Sequence, residues 1–125
     1  MKRFAFIVDD NRMIASSLTQ MLNLLGYEVK AAYGAMMAIQ QMAQRVPDVI
    51  LMDLHMQGLN GIELIRHLRQ DIYLRHVPIL GMSSDNQPAL IASMREAGAT
   101  LFIPKPIEMD ALEQALQTIE KLTAE

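Results

Sequence analysis

An uninterrupted apolar run at residues 49–52 ends at a carboxylate, Asp53, and this junction constrains the fold more than any other stretch of the sequence. Short aliphatic runs are typical of strands covered on both faces, as in parallel sheets with helices packed on either side. The run is followed by Gly58 and Asn60-Gly61, residue types that tolerate positive φ in tight turns. In open parallel sheets the carboxyl ends of the strands face the ligand crevice. Asp53 is therefore expected to lie where a ligand would bind.

The rest of the chain alternates strand and helix patterns in the same way. A second apolar run, at residues 4–8, also ends in acids, Asp9 and Asp10. Apolar residues at helical spacing follow each strand pattern, and Gly26 and Gly98 stand where two helices would stop. The pattern predicts strands at about residues 3–8, 27–32, 49–52, 77–82 and 100–103, and helices at about residues 12–25, 35–46, 62–72, 87–97 and 108–122.

Each helix pattern also predicts which side chains face the core. Asn11 is expected to cap the first helix, and one member of the cluster Ser83-Ser84-Asp85 the fourth. Gly81 would weaken the fourth strand unless another group approaches its backbone closely. The predicted inner faces are Ile14, Leu18, Met21 and Leu25 on the first helix; Met36, Ile39, Ala43 and Val46 on the second, ended by Pro47; Ile62, Ile65 and Leu68 or Arg69 on the third; and Leu112, Leu116 and Ile119 on the last.

Five strands alternating with five helices predict an α/β fold, a single doubly wound (βα)5 domain covering residues 1–125. The favoured arrangement is a flavodoxin-like parallel sheet with strand order 2-1-3-4-5. In that order the first and third strands are neighbours at the switch point, so Asp9, Asp10 and Asp53 converge in one crevice. Ser83 and Lys105 follow the fourth and fifth strands and are expected at its rim.

Composition narrows the classes of function. A net charge of -3 argues against direct binding of nucleic acid, which needs a basic patch. The absence of cysteine excludes disulfides and thiolate metal sites and fits a cytoplasmic location. No apolar run approaches the length of a membrane span or signal peptide, so no membrane association is expected.

Three converging carboxylates repel one another, and proteins hold such clusters by protonating one of them or by binding a cation. Oxygen ligands favour Mg²⁺ or Ca²⁺, and Mg²⁺, which keeps water and phosphate ligands, suits a shallow loop site better. Lys105 would then supply a second positive charge to a transferred phosphoryl group, and Ser83 a hydroxyl donor. Asp53 would be the nucleophile, since a carboxylate can accept a phosphoryl group as an acyl phosphate.

With these residues in order at strand ends, the whole chain resembles a response regulator receiver domain, the phosphoacceptor module of two-component signalling. The resemblance rests on Asp9-Asp10, Asp53, Ser83 and Lys105-Pro106. It implies that Asp10 and Asp53 ligate Mg²⁺ directly, that Asp9 acts mostly through water and that the main-chain carbonyl of His55 is a further ligand. It also implies that the phosphoryl group comes from a histidine kinase or a histidine phosphotransfer protein. In relatives the bond corresponding to Lys105-Pro106 is often cis, so a cis bond is expected here.

The resemblance further implies a switch, in which Ser83 and Phe102 move inward and remodel the surface formed by the fourth helix, fifth strand and fifth helix. That surface would bind a downstream protein target or a fused output domain, and a homodimer is a further possibility. The chain departs from the family at Gln57, where most relatives have proline, and at Phe102, which lacks the hydroxyl of the more usual tyrosine and is expected to prefer burial. Like its relatives, such a domain would be no general enzyme, catalysing only its own phosphorylation and dephosphorylation.

Three other interpretations stay open at this point. A phosphohydrolase with an Asp-x-Asp motif would have to use Asp53 and His55, after the third strand instead of the first. A flavodoxin-type carrier would bind a coloured cofactor. A phosphorylation-independent docking module would share the fold but would not need the complete acidic, hydroxyl and lysine set.

Overall fold

The computed structural model describes residues 2–56, 58 and 60–124. The strands are β1 (Phe4–Val8), β2 (Glu28–Ala32), β3 (Val49–Asp53), β4 (Ile79–Ser83) and β5 (Leu101–Pro104). The helices are α1 (Arg12–Leu24), α2 (Ala35–Met42), α3 (Gly61–Gln70), α4 (Pro88–Ala97) and α5 (Met109–Thr123). No helix in this described part of the chain has both the length and the apolarity to span a bilayer.

All neighbouring strands pair in parallel, in the order β2-β1-β3-β4-β5, which confirms the predicted flavodoxin-like sheet. The register aligns Val8 with Met52, Asp53 with Met82, and Ser83 with Pro104. The carboxyl ends of β1, β3, β4 and β5 therefore lie at one edge of the sheet, and the residues that follow these strands share that edge.

The sheet separates two apolar layers because successive side chains of a strand point to opposite faces. In β1, Phe4 and Phe6 pack with α2, α3 and α4, while Ala5 and Ile7 pack with α1 and α5. The strands β1, β3 and β4 are buried at every residue, as the continuous apolar runs predict. As predicted for a glycine inside a strand, another group approaches Gly81 of β4 closely. A Cβ there would overlap the side chain of Met94 on α4.

The first and last helices follow the predicted pattern closely. The side chain of Asn11 accepts hydrogen bonds from the amides of Met13 and Ile14, which confirms it as the cap of α1. The predicted face of α5 is buried, and that of α1 is buried or half-buried, its deepest residues being Ala15, Leu18 and Leu22.

The predicted inner face of α2 is wrong at three of its four residues, since only Ile39 among them packs against the core. The helix ends at Met42 and not at Pro47, and it buries Ala38 and Met42. Met36 is 71% exposed and Val46, beyond the helix end, is 46% exposed. Residues 34–44 carry no charge, so no charged side chain marks the outer face and neighbouring apolar stripes give similar periodicity.

Three further features of the structure differ from the sequence-based predictions. Asn60-Gly61 forms no positive-φ turn, because Asn60 caps α3 by accepting the amide of Glu63 and Gly61 begins that helix. Strand β4 begins two residues later than predicted, at Ile79. The cap of α4 is Gln87, which makes no side-chain cap bond, so capping by the Ser83-Ser84-Asp85 cluster is wrong.

Arg69 joins three segments through main-chain carbonyl groups. Its guanidinium donates to Gly98 at 2.8 Å and Val77 at 2.8 Å, and more weakly to Leu74 and Arg75. Burial lowers the pKa of the guanidinium, since its charge loses hydration there. The Arg69 side chain lies against Gly98, whose φ of 118° ends α4 in the left-handed conformation. Arg69 thus connects α3, the turn before β4 and the end of α4.

We expect Arg69→Met to lower the free energy of unfolding by about 2–3 kcal/mol, because several carbonyl groups lose their donor. Urea unfolding of both proteins measures the difference. Arg66→Met, an exposed position on the same helix, is the matched control and should cost under about 0.5 kcal/mol. Equal losses of unfolding free energy in the two variants would show that the contacts of Arg69 with the carbonyl groups do not stabilise the fold.

Candidate functional site

A cleft of about 430 Å³ lies at the carboxyl edge of the sheet. The strand ends place acids after β1 and in β3, and the lysine follows β5, so one cleft collects residues distant in the sequence. Its lining residues are Asp9, Asp10, Asn11, Ile14, Asp53, His55, Ser84, Lys105 and Pro106. The predicted convergence of the three acids and the lysine is therefore present in the structure.

The three acids of the cleft are close enough to share one cation. Carboxylate oxygens of Asp9, Asp10 and Asp53 lie within 4.8 Å of one another. Asp9 is fully buried and Asp53 is 4% exposed, whereas Asp10 is exposed toward solvent. Two buried carboxylates and one at the surface form an acidic cluster that is open on one side.

Lys105 reaches both buried acids. Its Nζ lies 2.8 Å from Asp9 Oδ2 and 3.3 Å from Asp53 Oδ1. Backbone amides complete the cluster, since Asn11 donates to Asp9 and His55 donates to Asp53. The ammonium therefore lies between two carboxylates that would otherwise repel each other.

The pKa of Asp53 is raised, chiefly because burial removes water from its charged form. The negative charge of Asp9 raises this pKa further, while the His55 amide and the Lys105 ammonium act in the opposite direction. The ionised form of Asp53 is thus disfavoured in the folded protein. The positive charge of a bound cation would stabilise the ionised carboxylate of Asp53.

The residues of the cluster fit Mg²⁺ as the predicted ligand. All three side chains offer hard oxygen atoms, and nearby residues of the cleft provide no sulfur donor. The open side leaves room for water and phosphate oxygens, which Mg²⁺ retains when few carboxylates bind it.

The two serines after β4 differ in their surroundings. Ser83 is 1% exposed, and its Oγ accepts the backbone N–H of Asp85 at 2.9 Å. Ser84 is exposed and lines the cleft. Sequence reasoning singled out Ser83 and missed Ser84, although a second hydroxyl at the same strand end was visible.

Close packing against Asp53 and a cis bond after Lys105 lie beside the cleft. A Cβ at Gly61 would overlap the carbonyl oxygen of Asp53, so only glycine lets α3 begin this close to the acid. The Lys105–Pro106 bond is cis, as the resemblance implied. Phe102 is half-buried and packs against the core layer of α2, α3 and α4. The predicted effect of Gln57 lies outside the described residues.

The sequence and structure comparisons with known proteins agree on one family. Residues 5–117 match the family model described as response regulator receiver domain. The chain is 32% identical over 103 residues to the sensory/regulatory protein RpfC of Xanthomonas campestris, covering 81% of this chain but only 14% of RpfC. The chain thus spans about one seventh of that relative's length.

Among the solved structures similar to this chain, two illustrate a match over nearly its whole length. The chemotaxis protein CheY4 of Vibrio cholerae superposes with a TM-score of 0.91 at 26% identity, covering 95% of this chain and 99% of CheY4. The receiver domain of the sensor histidine kinase PA1611 from Pseudomonas aeruginosa superposes with a TM-score of 0.86 at 25% identity, covering 94% and 97% of the two chains. In PA1611 a magnesium ion is coordinated in the active site cleft.

We expect Asp53→Asn to raise the free energy of unfolding by on the order of 1 kcal/mol at neutral pH without divalent cations. The amide removes a buried charge whose ionised form is disfavoured, and Lys105 keeps Asp9 as partner. A raised pKa means that the folded protein binds the proton more tightly, so lowering the pH through that pKa should abolish the advantage of the variant. Urea unfolding at several pH values measures this.

Asp85→Asn is the matched control for this experiment. Asp85 is exposed, and its Oδ1 accepts the Gln87 amide in a contact that asparagine retains. We expect a change within about 0.5 kcal/mol. A stability gain at both positions would indicate a general charge effect and contradict the local one.

Proposed function

Because this chain belongs to the response regulator receiver domain family, we propose that Asp53 is its phosphoacceptor in a two-component phosphorelay. The family makes it a signalling domain and not a classical enzyme. The observation that carries the assignment is the burial of Asp53 beside Asp9, with Lys105 reaching both. We also propose that residues 1–125 form one receiver domain.

In the proposed step an oxygen of Asp53 forms a bond to phosphorus. The P–N bond of the phosphohistidine donor breaks, and its electron pair stays on the imidazole nitrogen. Lys105 lies where it can neutralise the transferred group. Ser83 is the hydroxyl that the phosphorylated state recruits, because its Oγ accepts the Asp85 amide and its O–H can still donate to a phosphoryl oxygen. Autophosphorylation from small donors and hydrolysis of the acyl phosphate belong to this proposal.

Asp10 and Asp53 are proposed as direct ligands of Mg²⁺, with Asp9 acting through water and the His55 carbonyl as a further ligand. Supporting this, the three acids share one cluster, and a magnesium ion is coordinated in the cleft of the PA1611 receiver domain. The ion, when bound, supplies positive charge to the transferring phosphoryl oxygens.

The proposed partners follow from the relatives. RpfC is named as a sensory/regulatory protein and PA1611 as a sensor histidine kinase, so a histidine kinase or a histidine phosphotransfer protein is the proposed donor. The proposed receiver of the signal is a fused output domain, a separate protein or a second copy of the chain. The cytoplasmic location stays a prediction.

The other interpretations are less well supported. The family match does not favour a phosphohydrolase or a flavodoxin-type carrier. The complete set of buried acids and lysine does not favour a docking module that works without phosphate.

The first test is phosphorylation by a small donor. With Mg²⁺ and acetyl phosphate, intact-mass measurement should show the gain of one phosphoryl group. Asp53→Asn should gain none, because the amide is not a comparable nucleophile, and chelation should prevent the gain in the native chain. Asp85→Asn should be phosphorylated and is the control for loss of an acid. Modification of Asp53→Asn, or indifference to chelation, would contradict the assignment.

A second test follows the signal away from Asp53. Phosphorylation adds roughly -1.5 to -2 charges, enough to draw Ser83 and Lys105 inward. Phe102, which lies opposite Gly81 in the sheet, would then move further into the core layer. We expect NMR shift changes at residues 87–108 when the phosphate mimic beryllofluoride binds.

Lys105→Ala is the informative variant in this NMR experiment. It should still bind Mg²⁺, because the three acids remain, but it should lose the changes at residues 87–108. Phe102 is already half-buried, so we expect the native changes to be modest in size. Changes confined to the loop after Asp53 in the native chain would contradict an output surface at α4, β5 and α5.

A further inference from the structure

Ser84 stands on the solvent side of the β4 end, and Ser83 on the protein side. Among the described residues that line the cleft, Ser84 is present and Ser83 is not. Ser83 is 1% exposed and its Oγ is bonded to the Asp85 amide. Ser84 is exposed and borders the same cleft as Asp53 and Lys105.

The backbone at this point is held from both sides. The Lys105 amide donates to the Ser83 carbonyl at 2.9 Å, and the Leu54 amide donates to the Met82 carbonyl at 2.9 Å. The residues before Ser84 are thus bonded to the loops that carry Asp53 and Lys105. Within residues 2–56, 58 and 60–124, the Ser84 hydroxyl makes no hydrogen bond, so it is available to a ligand.

The cleft needs further hydrogen-bond donors if a phosphoryl group enters. Its walls carry three carboxylates, which repel phosphoryl oxygens, and Lys105 already directs its ammonium at Asp9 and Asp53. A phosphoryl group brings three strong acceptor oxygens. A neutral hydroxyl on the cleft wall supplies a donor without having to be desolvated as a charge.

We propose that the Ser84 hydroxyl donates a hydrogen bond to the phosphoryl group as it enters the resting cleft, and so helps to bind the phosphodonor. This inference rests on the proposed phosphoacceptor function. Ser84 acts in the geometry that the structure has, whereas the buried Ser83 hydroxyl must first turn toward the cleft. The two hydroxyls then serve successive stages, Ser84 in binding and Ser83 in switching. No proton is transferred from Ser84.

The test measures the initial rate of Asp53 phosphorylation against acetyl phosphate concentration with Mg²⁺ present. Ser84→Ala should lower the second-order rate constant by about tenfold, the usual effect of losing a hydrogen bond to a charged group. Ser84→Thr keeps the hydroxyl and should restore most of the rate. Ser16→Ala, an exposed serine of α1 outside the cleft, is the matched control and should equal the native chain.

Binding of beryllofluoride with Mg²⁺, followed by NMR titration, gives a readout independent of turnover. Ser84→Ala should weaken this binding by a similar factor, while thermal unfolding should match that of Ser16→Ala. If both the rate and the affinity of Ser84→Ala equal those of the native chain, the inference is overturned although the proposed function stands. If the native chain itself gains no phosphoryl group at Asp53, the proposed function fails and this inference with it.

Discussion

The contact of one ammonium with two buried carboxylates is the interaction on which the site depends. Lys105 follows β5, Asp53 ends β3 and Asp9 follows β1, so three strands that are not consecutive must stay in register to bring these charges together. Without the ammonium, two adjacent buried acids would repel each other unless one were protonated or a cation bound between them. The sheet thus maintains a charge arrangement that is unfavourable for each acid alone.

The sequence allowed the sheet order and the acidic cluster to be predicted because both follow from strong local signals. Continuous apolar runs identified β1 and β3, and the acids that follow them must meet wherever these strands are neighbours. The end of α4 at Gly98 and the cap at Asn11 were also predictable, since each depends on one residue with a definite backbone or capping preference.

Features that depend on tertiary contacts were not predictable. The inner face of α2 could not be chosen because its uncharged sequence offers several equivalent apolar stripes. Arg69 was placed among core candidates only by its spacing, and its carbonyl contacts come from segments up to 29 residues away. The choice between Ser83 and Ser84 depended on where β4 ends, since Ser83 is its buried last residue and Ser84 is the exposed residue after it.

The burial of Asp53 also indicates how phosphorylation would generate a mechanical effect. Asp53 is 4% exposed, so an added phosphoryl group must extend outward into the cleft, toward the wall formed by Ser84. The negative charge would then move from the carboxylate to the phosphoryl oxygens, and Lys105 would be drawn toward them and away from Asp9. Because the Lys105 amide is bonded to the Ser83 carbonyl, displacement of the lysine would also pull on the end of β4. The loop that leads into α4 would thus receive the motion through the main chain as well as through the Ser83 hydroxyl.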